Sequence, residues 1–88
     1  MNSADKKKLR ADAHSLKPVV MIGQSGLTAG VLAELDQELN THELLKVKIR
    51  AERDERKLIN AQLCAETGAE LIQSIGQIAV LYRLNPNK

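Results

Sequence analysis

The amino-acid order predicts a small α/β protein, a two-layer sandwich of helices on a mixed four-stranded sheet. Three features carry that prediction. Leu45-Lys46-Val47-Lys48-Ile49-Arg50 alternates apolar and charged residues, the period of a half-buried strand. Stretches of strand character alternate with stretches of helical period, in the order helix, strand, helix, strand, helix and two final strands. Gly76-Gln77 separates the last two apolar runs, and glycine first in a two-residue connection is what a type II′ hairpin requires. Two strand–helix–strand units favour parallel pairing with right-handed crossovers, and the hairpin adds an antiparallel pair.

Each element has a local reason. Ser3 is placed to cap a first helix running to about Ser15, with Leu9, Ala13 and Leu16 as its narrow core stripe. Lys6, Arg10, His14 and Lys17 form a second stripe beside it, with Lys7 on the edge. Pro18 ends that helix, because the residue before a proline is pushed out of the α region. Val19-Val20-Met21-Ile22 is β-branched and without polar residues, as expected of a strand buried on both faces. Thr28 is a good N-cap for a second helix whose buried face holds Val31, Leu32, Leu35 and Leu39; Glu34, Asp36 and Glu38 face mostly away. In the alternating strand, Val47 and Ile49 face the core, so Lys46, Lys48 and Arg50 share the opposite face. Asp54 is the expected cap of a third helix, with Leu58, Ile59, Ala61, Leu63 and Ala65 on its apolar side. Gly68 is its left-handed terminal residue, and Cys64 a small core filler.

Eighty-eight residues suffice for one domain with a modest core, read here as residues 1–84 followed by a frayed tail, 85–88. No stretch is apolar for long enough to cross a bilayer, and the lysines after Met1 have no apolar segment behind them, so no secretory signal is expected. Cys64 is a single cysteine, which excludes an internal disulfide and fits a reducing, cytoplasmic setting. The net charge of +2 is small, but its layout is uneven. Residues 1–26 carry five bases and two acids, residues 27–45 four acids and no base, and residues 46–57 six bases and three acids. Two basic segments around an acidic one suggest a polarised surface with nucleic acid as partner, although a solvated mixed-charge surface would read the same way.

The stretch Ile22-Gly23-Gln24-Ser25-Gly26-Leu27-Thr28 places a Gly-x-x-Gly loop between a strand and a helix start. Glycines let another molecule come close, and the amides at a helix start favour a negative group. Such a loop reads either as an ordinary turn or as a phosphate-backbone clamp of KH type. Enzyme chemistry finds little support. The two histidines lack partners at metal-ligand spacing, Cys64 lacks an evident base, and the loop lacks the Gly-Lys-Ser/Thr ending of a P-loop. No catalytic residue, metal, cofactor or small-molecule substrate is expected. With Tyr82 as the one aromatic residue, reading of bases by stacking is poorly supported, which leaves a backbone and shape binder.

The run Leu16-Lys17-Pro18-Val19-Val20-Met21-Ile22-Gly23-Gln24-Ser25-Gly26-Leu27-Thr28 resembles the signature of the CRM domain family, named for chloroplast RNA splicing and ribosome maturation. His42-Glu43-Leu44-Leu45-Lys46-Val47, the stretch Thr67-Gly68-Ala69-Glu70-Leu71-Ile72-Gln73-Ser74-Ile75-Gly76, and Val80-Leu81-Tyr82-Arg83 agree with it in the family's order. The resemblance spans about Leu9 to Arg83 and is greatest to the free-standing bacterial YhbY-type members. It implies a fold like the C-terminal domain of a bacterial initiation factor, with sheet order 1-2-4-3 and the last strand antiparallel. It also implies RNA binding, with precursors of the large ribosomal subunit as the associated particles.

The family's loop maps onto Gly23, Gln24, Ser25 and Gly26. Many members carry a basic residue inside it; this chain has Gln24 and Ser25, so flanking bases must supply more of the affinity. Lys6, Lys7, Arg10 and Lys17 are the first choice and Lys46, Lys48 and Arg50 the second. The expected protein is a monomeric, non-catalytic RNA binder without a membrane partner. The alternative is a protein-interaction module docking a basic ribosomal protein on its acidic second helix.

Overall fold

The computed structural model describes residues 2–85. The chain runs through α1 (Ser3–Ala13), β1 (Pro18–Ile22), α2 (Ala29–Thr41), β2 (Leu44–Ile49), α3 (Arg53–Thr67), β3 (Glu70–Ile75) and β4 (Ile78–Tyr82). The four strands form one mixed sheet in the order β1-β2-β4-β3. β1 and β2 are parallel, because the whole of α2 lies between them as a crossover; β4 is antiparallel to both its neighbours. The element order, the mixed sheet and the 1-2-4-3 strand order are those expected.

Alternation along the central strands sorts the core into two parts. Leu45, Val47 and Ile49 of β2 and Ala79 and Leu81 of β4 point to one face. There they pack with Val20 and Ile22 of β1, Leu35 and Leu39 of α2, and Leu63 of α3. Leu44, Val80 and Tyr82 point to the other face, where they meet Leu9 and Ala13 of α1 together with Ile72. The sheet with α2 and α3 makes the two expected layers, and α1 adds a partial third layer behind. Because α1 packs on β2 and β3, it leaves the β1 end of that rear face uncovered.

β1 therefore differs from its expectation as a strand buried on both faces. It is an edge strand that buries Val20 and Ile22 and leaves Val19 43% and Met21 53% exposed. A continuous apolar run does not reveal whether a helix covers its second face; here none does.

The helix ends also depart from expectation in places. Asn2, not Ser3, caps α1, its Oδ1 accepting from the Asp5 amide at 2.9 Å. The helix stops at Ala13 rather than near Ser15, so Leu16 is exposed and Pro18 opens β1 instead of ending α1. Thr28 caps α2 as expected, accepting from the Val31 amide at 3.2 Å. Glu52, not Asp54, occupies the N-cap position of α3, without a side-chain cap bond. Asp54 and Glu55 lie in the first turn instead, where their charge suits the helix dipole.

The inward face of α3 follows Arg56, Ile59, Asn60, Leu63, Cys64 and Thr67, a helical spacing that buries Asn60. Leu58 is consequently 72% exposed, and Ala61 and Ala65 also lie outside the core. Gly68 ends α3 at φ +75°, the expected left-handed residue. In the hairpin, Gly76 has φ +55° and Gln77 has no positive φ, the sign pattern of a type II′ turn. Of the expected tail, Asn85 donates from its amide to Glu43 Oε2 at 2.9 Å and from Nδ2 to the Asn40 carbonyl at 2.6 Å. Residues 86–88 lie outside the described residues.

Candidate nucleic-acid interface

β1 delivers the chain to the Gly-x-x-Gly loop at the parallel end of the sheet. The loop closes as a turn, with the Gly26 amide donating to the Gly23 carbonyl at 3.0 Å. Gly26 has φ +71°, a conformation that side chains disfavour. Gly23 is different: its φ is not positive, and a Cβ there would meet no atom within 4 Å. Nothing inside the fold requires glycine at position 23. After the loop, Leu27 packs on the main core and Thr28 starts α2, so both ends of the loop are anchored.

The same strand pairing that anchors the loop brings cations to it. Met21 lies opposite Lys48 in the β1–β2 register, and the Arg50 amide donates to the Ile22 carbonyl at 2.9 Å. From the other side, the Ile49 amide donates to the Gln77 carbonyl at 2.7 Å, holding the β3–β4 turn against the end of β2. Met21, Gly23, Gln24, Lys48, Arg50 and Gln77 consequently line one cleft of about 730 Å³.

A second, smaller cleft of about 260 Å³ lies on the rear face, between α1 and the sheet. Arg10 borders it from α1, His14 from that helix's C-cap, Lys46 from β2, and Gln73, Ile75 and Ile78 from the hairpin. Lys46 Nζ donates to the His14 carbonyl at 3.5 Å, tying the strand to the end of α1.

The expected basic residues thus divide by position. Lys48 and Arg50, the second choice from sequence, share the loop's cleft; Arg10 and Lys46 share the smaller one. Lys6, Lys7 and Lys17 line neither, and Lys7 and Lys17 are exposed. Sequence order suggested α1 because it immediately precedes β1, but register across the sheet puts β2 beside the loop. Exposed Met21 and Ile75 and the turn residue Gln77 were missed in the sequence. Their signal was present only in the edge position of β1 and in the hairpin's placement.

The acidic surface of α2 is partly engaged within the fold. Arg83 Nη1 donates to Asp36 Oδ1 at 2.6 Å, and Glu38 lies 4.0 Å from His42 Nε2. Cys64 is half-buried, and burial, with the nearby Glu70 carboxylate as a second cause, pushes its thiol pKa up. That is the reverse of what an activated thiolate needs. Among the described residues, no group of three or more His, Cys, Asp or Glu side chains is arranged to hold a metal, and no helix is long and apolar enough to cross a membrane.

Comparison with known proteins agrees with this architecture. The "Probable RNA-binding protein" of Pseudomonas aeruginosa is 48% identical over 87 residues, covering 98% of this chain and 84% of that one. An "RNA-binding protein" of Haemophilus influenzae is 49% identical over 84 residues, covering 94% and 85%. Among solved structures, a hypothetical protein of Staphylococcus aureus, considered a candidate RNA binder, superposes with a TM-score of 0.85 at 32% identity, covering 96% of this chain and 88% of that one. The family model described as the CRS1 / YhbY (CRM) domain matches residues 1–83. With that match, two long alignments near half identity and the shared strand order, this chain belongs to the CRS1/YhbY (CRM) domain family.

Proposed function

We propose that the protein is a non-catalytic, monomeric, cytoplasmic RNA-binding domain that holds ribosomal RNA by its backbone and assists assembly of the large ribosomal subunit. The observation that carries this reading is the single cleft in which Gly23 and Gln24 of the loop stand with Lys48 and Arg50. A phosphate there meets two cations and a glycine backbone that nothing in the protein crowds. Gln24 and Ser25 contribute neutral polar contacts and Gly26 its turn geometry. Lys46 and Arg10 extend the basic track along the rear face, and Lys6, Lys7 and Lys17 add long-range attraction from α1.

Base identity is read weakly at this cleft, because Met21 is its one large apolar side chain and it offers no aromatic platform. The names of the relatives support RNA as the partner. The competing idea of a protein docked on acidic α2 loses support, since Asp36 already serves Arg83.

Sedimentation of cell extract through a sucrose gradient, with and without nuclease, tests the proposal. Co-migration with particles near the large subunit, lost after nuclease treatment, is the expected result. Retention of the protein at the top of the gradient in both conditions would overturn the ribosomal role.

A further inference from the structure

On the opposite edge of the sheet, a groove of about 660 Å³ runs between α3 and β3. Arg53, Lys57 and Asn60 border it from the helix, with Cys64 and Leu71 as part of its apolar wall and Gly76 at the β3–β4 turn. Three properties set it apart from a packing defect. Its volume falls in the range of small-ligand sites, about 300–1,000 Å³. Its charge is positive: Arg53, Arg56 and Lys57 line it against Glu70 alone, while Asp54 and Glu55 of the same helical turn do not. Arg56 is committed to the fold, its Nη1 donating to the Ala51 carbonyl at 2.8 Å, so Arg53 and Lys57 are the cations available to a ligand.

The third property is Asn60. It is 5% exposed, and its Oδ1 is buried without a hydrogen-bond partner. A buried carbonyl lacking a donor is destabilising, and an apolar side chain of similar volume would suit the inward face of α3 better. The terminal torsion of an asparagine is broad and roughly two-fold, so turning the amide over presents the oxygen to the groove that the residue lines. The group is then matched to an N–H arriving from outside.

We infer that this groove receives one nucleoside phosphate. Arg53 and Lys57 hold the phosphate, while the base lies on the apolar wall and donates an N–H to Asn60 Oδ1. Every common base of RNA carries such an N–H, so the site recognises the presence of a base and a phosphate together. An unpaired residue of a bound RNA and a free mononucleotide offer the same chemistry, and the proposal rests on the RNA reading only where the RNA is the source. Gly76 borders this groove and Gln77 the loop's cleft, so an RNA held at the loop has a short path around the turn to it.

Amide NMR titration of the intact protein with adenosine 5′-monophosphate, ribose 5-phosphate and a short unstructured RNA tests the inference. Expected are shifts centred on Asn60, Cys64 and Leu71 with the nucleotide, and much weaker ones with ribose 5-phosphate. Asn60→Leu is expected to weaken nucleotide binding about tenfold, the weight of one well-made hydrogen bond, while thermal stability holds or rises. Arg53→Ala combined with Lys57→Ala, both at exposed positions, should weaken it without unfolding the protein. The same groove shifts with the short RNA identify RNA as the source; groove shifts with the nucleotide alone identify the free mononucleotide. Equal shifts from ribose 5-phosphate, no shift at the groove with either nucleotide or RNA, or unchanged binding by a folded Asn60→Leu protein would overturn the inference. Failure here leaves the loop reading intact, because shifts at Gly23–Gly26 are observed separately in the same spectra.

Discussion

Arg83 Nη1 stands 2.6 Å from Asp36 Oδ1, joining the end of the last strand to the middle of α2. The same guanidinium donates to the Thr67 carbonyl at the end of α3 (2.8 Å), to the Asp36 carbonyl (3.1 Å) and to Asn40 Oδ1 (2.8 Å). One planar fork therefore satisfies acceptors on two helices. The Arg83 side chain is 19% exposed and that of Asp36 55%, so the arginine holds the greater share of the buried contacts. Arg83→Ala should destabilise the fold by about 2 kcal/mol, lowering Tm on the order of 10 °C, because several acceptors lose their donor at once. Asp36→Asn keeps an acceptor in a half-exposed place and should change stability by less than about 0.5 kcal/mol. Thermal denaturation of the two variants checks this, and equal losses would reduce the cluster to a simple ion pair.

The shared cleft makes a ranking among cations. Lys48→Ala with Arg50→Ala should weaken RNA binding about tenfold or more and flatten the log–log salt dependence by roughly one to two ion equivalents. Lys6→Ala with Lys7→Ala should have a smaller effect, since neither side chain lines the loop's cleft. Titrations at several salt concentrations read both quantities. A larger loss from the α1 pair would move the RNA path away from β2.

The loop glycines should separate by role. Gly26 sits at φ +71°, so Gly26→Ala should destabilise by about 1 kcal/mol through backbone strain. Gly23→Ala meets open space with no positive φ and should leave stability unchanged or raise it by about 0.4–1 kcal/mol. RNA affinity should nevertheless fall in Gly23→Ala, because the added methyl occupies the space a phosphate would enter. Undiminished affinity in a stable Gly23→Ala protein would contradict close approach at the loop.

Cys64 links the interior to pH. Burial, and Glu70 after it, raises its pKa in the folded state, so folding favours the neutral thiol. The corresponding stabilisation is fully present below the pKa of an ordinary thiol and is lost as pH rises through the higher folded value. Relative to Cys64→Ala, the parent protein should therefore lose stability in urea as the medium becomes alkaline, and its thiol should alkylate more slowly than free cysteine at neutral pH. Rapid alkylation at neutral pH would show an accessible thiolate instead.

Much of this molecule was legible in short stretches of chain. Alternation from Leu45 to Arg50 revealed which side chains of β2 are buried, Thr28 marked the start of α2, Gly68 the end of α3, and Gly76 the hairpin. These signals are local, because caps, turns and strand period depend on residues within a few positions of one another.

Tertiary contacts decided the rest. Whether Val19 and Met21 are covered depends on where α1 docks, and the seating of α3 on the sheet buries Asn60 while leaving Leu58 exposed. The pairing of β1 with β2 chose Lys48 and Arg50 as the loop's neighbours over the sequence-adjacent lysines of α1. The sequence by itself determined the elements, their order and the chemistry each offers. Only the tertiary structure decided which of those chemistries meet, because contact across a sheet follows register and layer, which join residues far apart in the chain.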